Sequence, residues 1–200
     1  MGQSSTGSDA PSMADGRRVR GERRRAEIID ACLQVVQRDG VAGVTHRTVA
    51  REAGMTSGLI TYHFATLDNL LVAALSHITE AYATILRGIV DRGTDSLNEL
   101  AEVIAATGTE EGRSRALAER ELSTLASRRP ALRPVAQHWR KEVARIGQLH
   151  VSDPFTIEAF VAAVDGMCAN ILLSGERPGV AHIHGVLTRT LGSEPVAEEG

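Results

Sequence analysis

Aromatic side chains are scarce in this chain: three phenylalanines, two tyrosines and one tryptophan make up 3% of 200 residues. A core built on stacked rings is therefore excluded. The 42% apolar share has to be carried mostly by Ala, Leu, Val and Ile, a composition that suits packed helices. Long apolar runs are also absent. No stretch of about 18 uninterrupted apolar residues occurs, so no membrane span is expected. The first residues are Gly, Ser and Asp followed by Arg, without the apolar stretch of a secretory signal, and a cytoplasmic location is expected. The two cysteines, Cys32 and Cys168, sit far apart in helical apolar patterns and read as buried thiols rather than a disulfide.

Catalytic signatures are missing as well. There is no nucleophile–base pair at a turn, no phosphate-cradling glycine loop and no metal-ligand spacing, so neither an enzyme nor a cofactor is expected. His182 and His184 would point apart on a helix and are not expected to clamp an ion. No segment shows the alternation of a strand, and the expected class is all-α.

The charge distribution says more than the net charge of −3. Between residues 16 and 64 nine arginines stand against five acids, so a basic head is joined to an acidic remainder. Residues 1–20 read as a disordered tail ending in basic residues, and 193–200 as a flexible tail. The Arg cluster at 17–25 fits either a solvated helix start or an arm that touches phosphate.

Helical periodicity runs from Glu22 to Asp39 through Ile28, Cys32, Val35 and Val36, and Gly40 closes that helix. Thr45 is an N-cap for a short helix that stops at Gly54. Thr56 or Ser57 caps another ending at Phe64, and Thr66 opens a long helix reaching Leu86. Further helices are expected near 96–107, 110–128, 130–147, 155–174 and 179–191, with prolines at or near three of their starts. The domains read as a head at 21–66 and a body at 67–192.

The informative stretch is 45–64. Gly54 permits the tight turn that sets two short helices at a steep angle, with Val49, Ala50, Ala53, Met55 and Ile60 in the corner. Thr56, Ser57, Gly58, Thr61, Tyr62 and His63 are left facing outward. Gly58 lets the backbone approach a duplex, and Thr61 is small enough to enter a major groove. Tyr62 and His63 suit phosphates, as does Thr45, while Arg47 reaches a base edge or a phosphate. For Tyr62 the alternative is a plug in the head's core, and for His63 a solvated helix end.

This pattern resembles the N-terminal domain of the TetR family of bacterial transcriptional regulators. The resemblance rests on Ile28, Ile29, Gly40, Thr45, Val49-Ala50, Ala53-Gly54, Gly58, Tyr62-His63-Phe64 and Leu70-Leu71, about a quarter of the chain. It implies an all-helical homodimer that binds a palindromic double-stranded operator, with a small-molecule effector in the body. One departure stands out: the family usually has a lysine shortly after the Phe, and Leu67 occupies that place here.

In the body, Phe155–Leu173 is apolar almost all round and needs burial on more than one side. One expectation is a dimer face of Val161, Val164, Cys168, Ile171, Leu172, Ile183 and Leu187; the other is the core helix of a monomer. Expected effector-lining residues are Tyr82, Glu121, Trp139, Phe160 and Asn170. The resulting expectation is a repressor released from its operator when an effector binds. An activator or architectural protein without an effector is the alternative.

Overall fold

A computed structural model describes residues 13–192 of the chain, and every regular element in that range is helical. The head contains α1 (Met13–Asp39), a 3-10 turn (Val41–Gly43), α2 (His46–Glu52) and α3 (Ser57–His63). The body follows with α4 (Leu67–Arg92), α5 (Ser96–Ala106), α6 (Glu110–Leu125), a 3-10 turn (Pro130–Leu132), α7 (Arg133–Ala136), α8 (His138–Gln148), α9 (Pro154–Ser174) and α10 (Val180–Thr190).

Two expectations on helix limits need correction. Residues 13–20, expected in the tail, already belong to α1. Straight-chain arginines are good helix formers, and Arg18 pairs with Glu22 one turn on, at 2.8 Å. The tail calls at 1–12 and 193–200 lie outside the described residues. The helix expected at 130–147 is broken instead into a turn, α7 and α8. Pro134 sits in the first turn of α7, where its missing N–H is tolerated, but it cannot continue a helix arriving from Pro130.

Two cores hold the molecule. The first joins α1, α2, α3 and the first half of α4 through Ile28, Val35, Val49, Ile60, Phe64, Leu70 and Leu71. It also takes in Ala118, Leu122, Ala126 and Leu132, so α6 and the turn after it pack directly onto the head. The second core gathers the end of α4 with α5, α8, α9 and α10 around Leu100, Ile104, Ile146, Phe160 and Ile183. Helix α4 runs through both, and α6 stands between them, so the head is not isolated from the body at residue 66. Burial drives the Cys32 thiol up to about 12, and partial burial beside a cavity in the body drives Cys168, which is only half-buried, up to about 11.

Among the described residues, two helices reach the length and mean hydropathy of a membrane span. They are α4, half of whose most apolar window is buried, and α9, with only 22% of its window buried. For α4 the apolar surface lies in the two cores. The excess on α9 lies on an outer face.

Candidate nucleic-acid interface and effector cavity

The head is built to hold α3 out. Thr45 and Thr48 cap α2 reciprocally: the Thr45 hydroxyl accepts from Thr48 N at 3.0 Å, and Thr45 N donates to Thr48 Oγ1 at 2.9 Å. Gly54 adopts φ +63°, and Met55 N donates to Ala50 O at 2.9 Å, which closes the turn. Thr56 then caps α3, its hydroxyl accepting from Leu59 N at 3.3 Å. Ile60 and Phe64 face inward at 0% and 1% exposure.

With that inner face buried, Thr56, Ser57, Gly58, Thr61 and Tyr62 are all exposed, Tyr62 at 83%. Tyr62 is thus no core plug; it stands edge-on to the half-buried His63 with ring centroids 5.2 Å apart. The Thr61 hydroxyl rests on Ser57 O at 3.0 Å. Thr45 and Arg47 are exposed on α2, and Arg47 makes no hydrogen bond or ion pair among the described residues. The expected outward set is therefore accessible on α3 and the start of α2, with His63 half-buried. Its neighbourhood is cationic, although part of the α1 cluster is engaged within the protein: Arg23 and Arg24 pair with Glu27, and Arg25 stacks on the Phe64 ring at 4.3 Å.

Two positioning residues carry no obvious sequence signal. His46 Nε2 lies 3.0 Å from Phe64 O, tying the start of α2 to the end of α3. Arg38 bridges α1 to α2 through Glu52 at 2.7 Å. Leu67 is half-buried against the first core, so it stabilises the head where the family's lysine would face phosphate.

The body holds a partly open cavity of about 70 Å³ between α4, α5, α6, α8 and α9. Tyr82 and Trp139 line it, as expected, together with Leu86, Ile104, Val143 and the unanticipated Glu119, Arg120 and Asp165. The other three expected lining residues are elsewhere. Phe160 is fully buried in the second core, its ring packed so closely on Gly147 that a Cβ there would come within 3.1 Å. Asn170 is exposed on α9. Glu121 points the other way and accepts Val41 N at 2.7 Å. Two residues along a helix is a turn of about 200°, which puts Glu119 on the cavity and Glu121 on the head.

The proposed dimer face also needs correction. Val164, Ile171, Ile183 and Leu187 are 0–2% exposed in the protomer's own core, and Val164, Cys168 and Leu172 line the cavity. What α9 presents outward includes Phe155, Glu158, Ala159, Ala162, Gly166, Asn170 and Leu173, with Phe155 at 80% and Leu173 at 86% exposure. A helix apolar all round hides which side is free; only packing reveals it. Arg129, beyond the end of α6, is paired with Asp68 in the first turn of α4.

Comparison with known proteins matches two parts of the chain to family descriptions. Residues 28–74 match the family described as bacterial regulatory proteins, tetR family, and residues 92–193 match the tetracyclin repressor-like C-terminal domain. The multidrug binding protein EbrR, complexed with ethidium, is 42% identical with a TM-score of 0.72 over 84% of this chain and 97% of its own. EbrR has also been solved with imidazole. A TetR-family structure from Streptomyces coelicolor A3 is 42% identical with a TM-score of 0.75 over 86% of this chain and 99% of its own. The regulator BetI of Burkholderia cenocepacia (strain HI2424) is 33% identical over 86 residues, 42% of this chain but only 44% of BetI, so that match spans less than half of the curated relative.

Proposed function

The chain belongs to the TetR family of bacterial transcriptional regulators, and from that premise we propose that it is a repressor whose dimer leaves a palindromic operator when a small molecule fills the body cavity. Regulators of this family are DNA-binding transcription factors that dimerise. The observation that carries the reading for this chain is the outer surface of α3: a run from Thr56 to Tyr62 stands exposed on a turn braced from behind by Ile60, Phe64 and His46. Thr61 reads bases, while Tyr62, His63 and Thr45 fix the register on phosphates and Arg47 reaches into the groove.

Dimerisation uses the outer face of α9 together with α10. Small residues at 159, 162 and 166 let two copies approach closely, and Phe155 and Leu173 supply buried area at the two ends. A two-fold dimer holds two recognition helices about 34 Å apart or a multiple of it, which matches a palindrome.

The effector acts through α6 and α4. One side of α6 lines the cavity with Ala116, Glu119 and Arg120. The opposite side is embedded in the head's core and bonded to Val41. A ligand that shifts α6 therefore shifts the head, by as much as its affinity differs between the two arrangements. That EbrR is a multidrug binding protein supports a ligand-responsive body here.

Selection from random duplexes tests the reading. The expected product is a palindrome bound by two chains, released as effector is added, with operator weakening effector binding by the same factor. Failure to enrich any sequence, or equal effector affinity with and without operator, contradicts it.

A further inference from the structure

We propose that the projecting first half of α1 is a second DNA contact, a helical arm that lies along the phosphate backbone of the duplex flanking the operator; this rests on the operator reading above. Helix α1 begins at Met13, but Ile28 is its first buried residue, and none of residues 16–27 is buried. The stretch from Met13 to Glu27 is therefore about 22 Å of helix with no core behind it. It precedes the part of the head that the family match covers.

Between residues 17 and 27 six arginines stand against Glu22 and Glu27. Their placement around one residue matters most. Gly21 has Arg17 and Arg18 one turn before it and Arg24 and Arg25 one turn after it, so four guanidinium side chains surround a position that has no side chain. Neither a positive φ nor a close neighbour calls for glycine there, since a Cβ would meet nothing within 4 Å. What Gly21 leaves is bare backbone in the middle of a cationic face, which a polyanion can approach closely. That face does not turn away from the head. Gly21, Arg25, Ile28 and Cys32 follow one another at helical spacing, so it continues the buried side of α1. Arg25 stacks on the ring of Phe64, which sets the root of the arm beside the end of α3, next to Tyr62 and His63.

The arm's own residues work against a free helix. Arginines in the first turns oppose the helix dipole, and glycines at 16 and 21 each weaken the helix relative to alanine. A row of phosphates offsets the charge that these residues bring together. Arg17 and Arg20 make no ion pair among the described residues. Arg18 pairs with Glu22, and Arg23 and Arg24 with Glu27, but these pairs lie on the surface, where a phosphate oxygen replaces a carboxylate at little cost. An arm of this length covers about six base pairs beyond the half-site. Its contacts add affinity without reading sequence.

The test measures binding of the full chain to two forms of its selected duplex over a range of salt. One form ends at the palindrome, and the other carries about ten further base pairs of arbitrary sequence on each side. The unsubstituted chain should bind the longer form at least about tenfold more tightly, whatever the flanking sequence. A variant carrying Arg17→Gln, Arg20→Gln and Arg24→Gln together should bind both forms alike and keep its base preference. Its log–log salt slope should be smaller by about two or more, at about 0.9 for each phosphate released. Equal affinity of the unsubstituted chain for the two forms overturns the proposal, whether or not the variant folds. So does a length dependence or a salt slope that survives the three substitutions. A variant that keeps its duplex affinity but no longer adsorbs to vesicles of anionic phospholipid also overturns it, in favour of a membrane surface. If no duplex is selected at all, the operator reading falls and the arm with it; selection without any effect of the flanks overturns the arm alone.

Discussion

Glu121 on α6 accepts the backbone N–H of Val41 at 2.7 Å, across 80 positions of sequence. Val41 opens the turn between the first two helices of the head, and Gly40 beside it needs its φ of +71° and its missing side chain, since a Cβ would come within 3.2 Å of Glu121 Oε2. This bond ties α6 to the head, while the Arg129–Asp68 pair ties the turn after α6 to the start of α4.

Replacing Glu121 with Ala should strip Val41 of its acceptor and cost about 1–2 kcal/mol, seen as a lower denaturation midpoint. More tellingly, the variant should bind operator yet respond less to effector. Retained stability and an unchanged effector response would remove Glu121 from the transmission route.

Gly54→Ala isolates backbone strain. A Cβ at this position meets no atom within 4 Å, so the only cost is holding φ near +63°, about 1–2 kcal/mol. Chemical denaturation should show that loss with an unchanged helix content.

Thr61→Ala and Tyr62→Ala should fail differently. The first should relax base preference at one operator position, while the second weakens all duplexes alike and leaves the salt slope unchanged, because a neutral phenol displaces no counterion. Competitive binding across single-base operator variants separates the two outcomes.

The outer face of α9 can be tested without touching the core. Ala162→Glu adds a charge to an exposed position between Phe155 and Leu173. It should turn dimers into folded monomers in sedimentation runs and cost operator affinity, since one head alone reads half a site. A dimer that survives the change would move the interface elsewhere.

The chain shows how far pattern reading carries. The limits of α2 and α3 were legible because capping threonines and Gly54 act locally, on neighbours within a turn. The outward set on α3 followed from the same period. The cavity was harder to read. Glu119 and Glu121 are chemically identical and two residues apart, and only the packing of α6 between two cores decides which one lines the cavity. On α9 the apolar residues surround the helix, so Val164 and Ile171 were indistinguishable from Ala162 and Leu173 until the position of α10 was known. His46 was invisible for a different reason: its partner is a backbone oxygen 18 residues away.

The most direct measurement is the affinity of the full chain for its selected duplex and for a scrambled one, as a function of salt, beside a variant carrying Thr61→Ala and Tyr62→Ala together. The account predicts a preference of about a thousandfold or more for the selected duplex at physiological salt, lost in the double variant while the fold is kept. Equal binding of the two duplexes, or a preference that survives both substitutions, would contradict it.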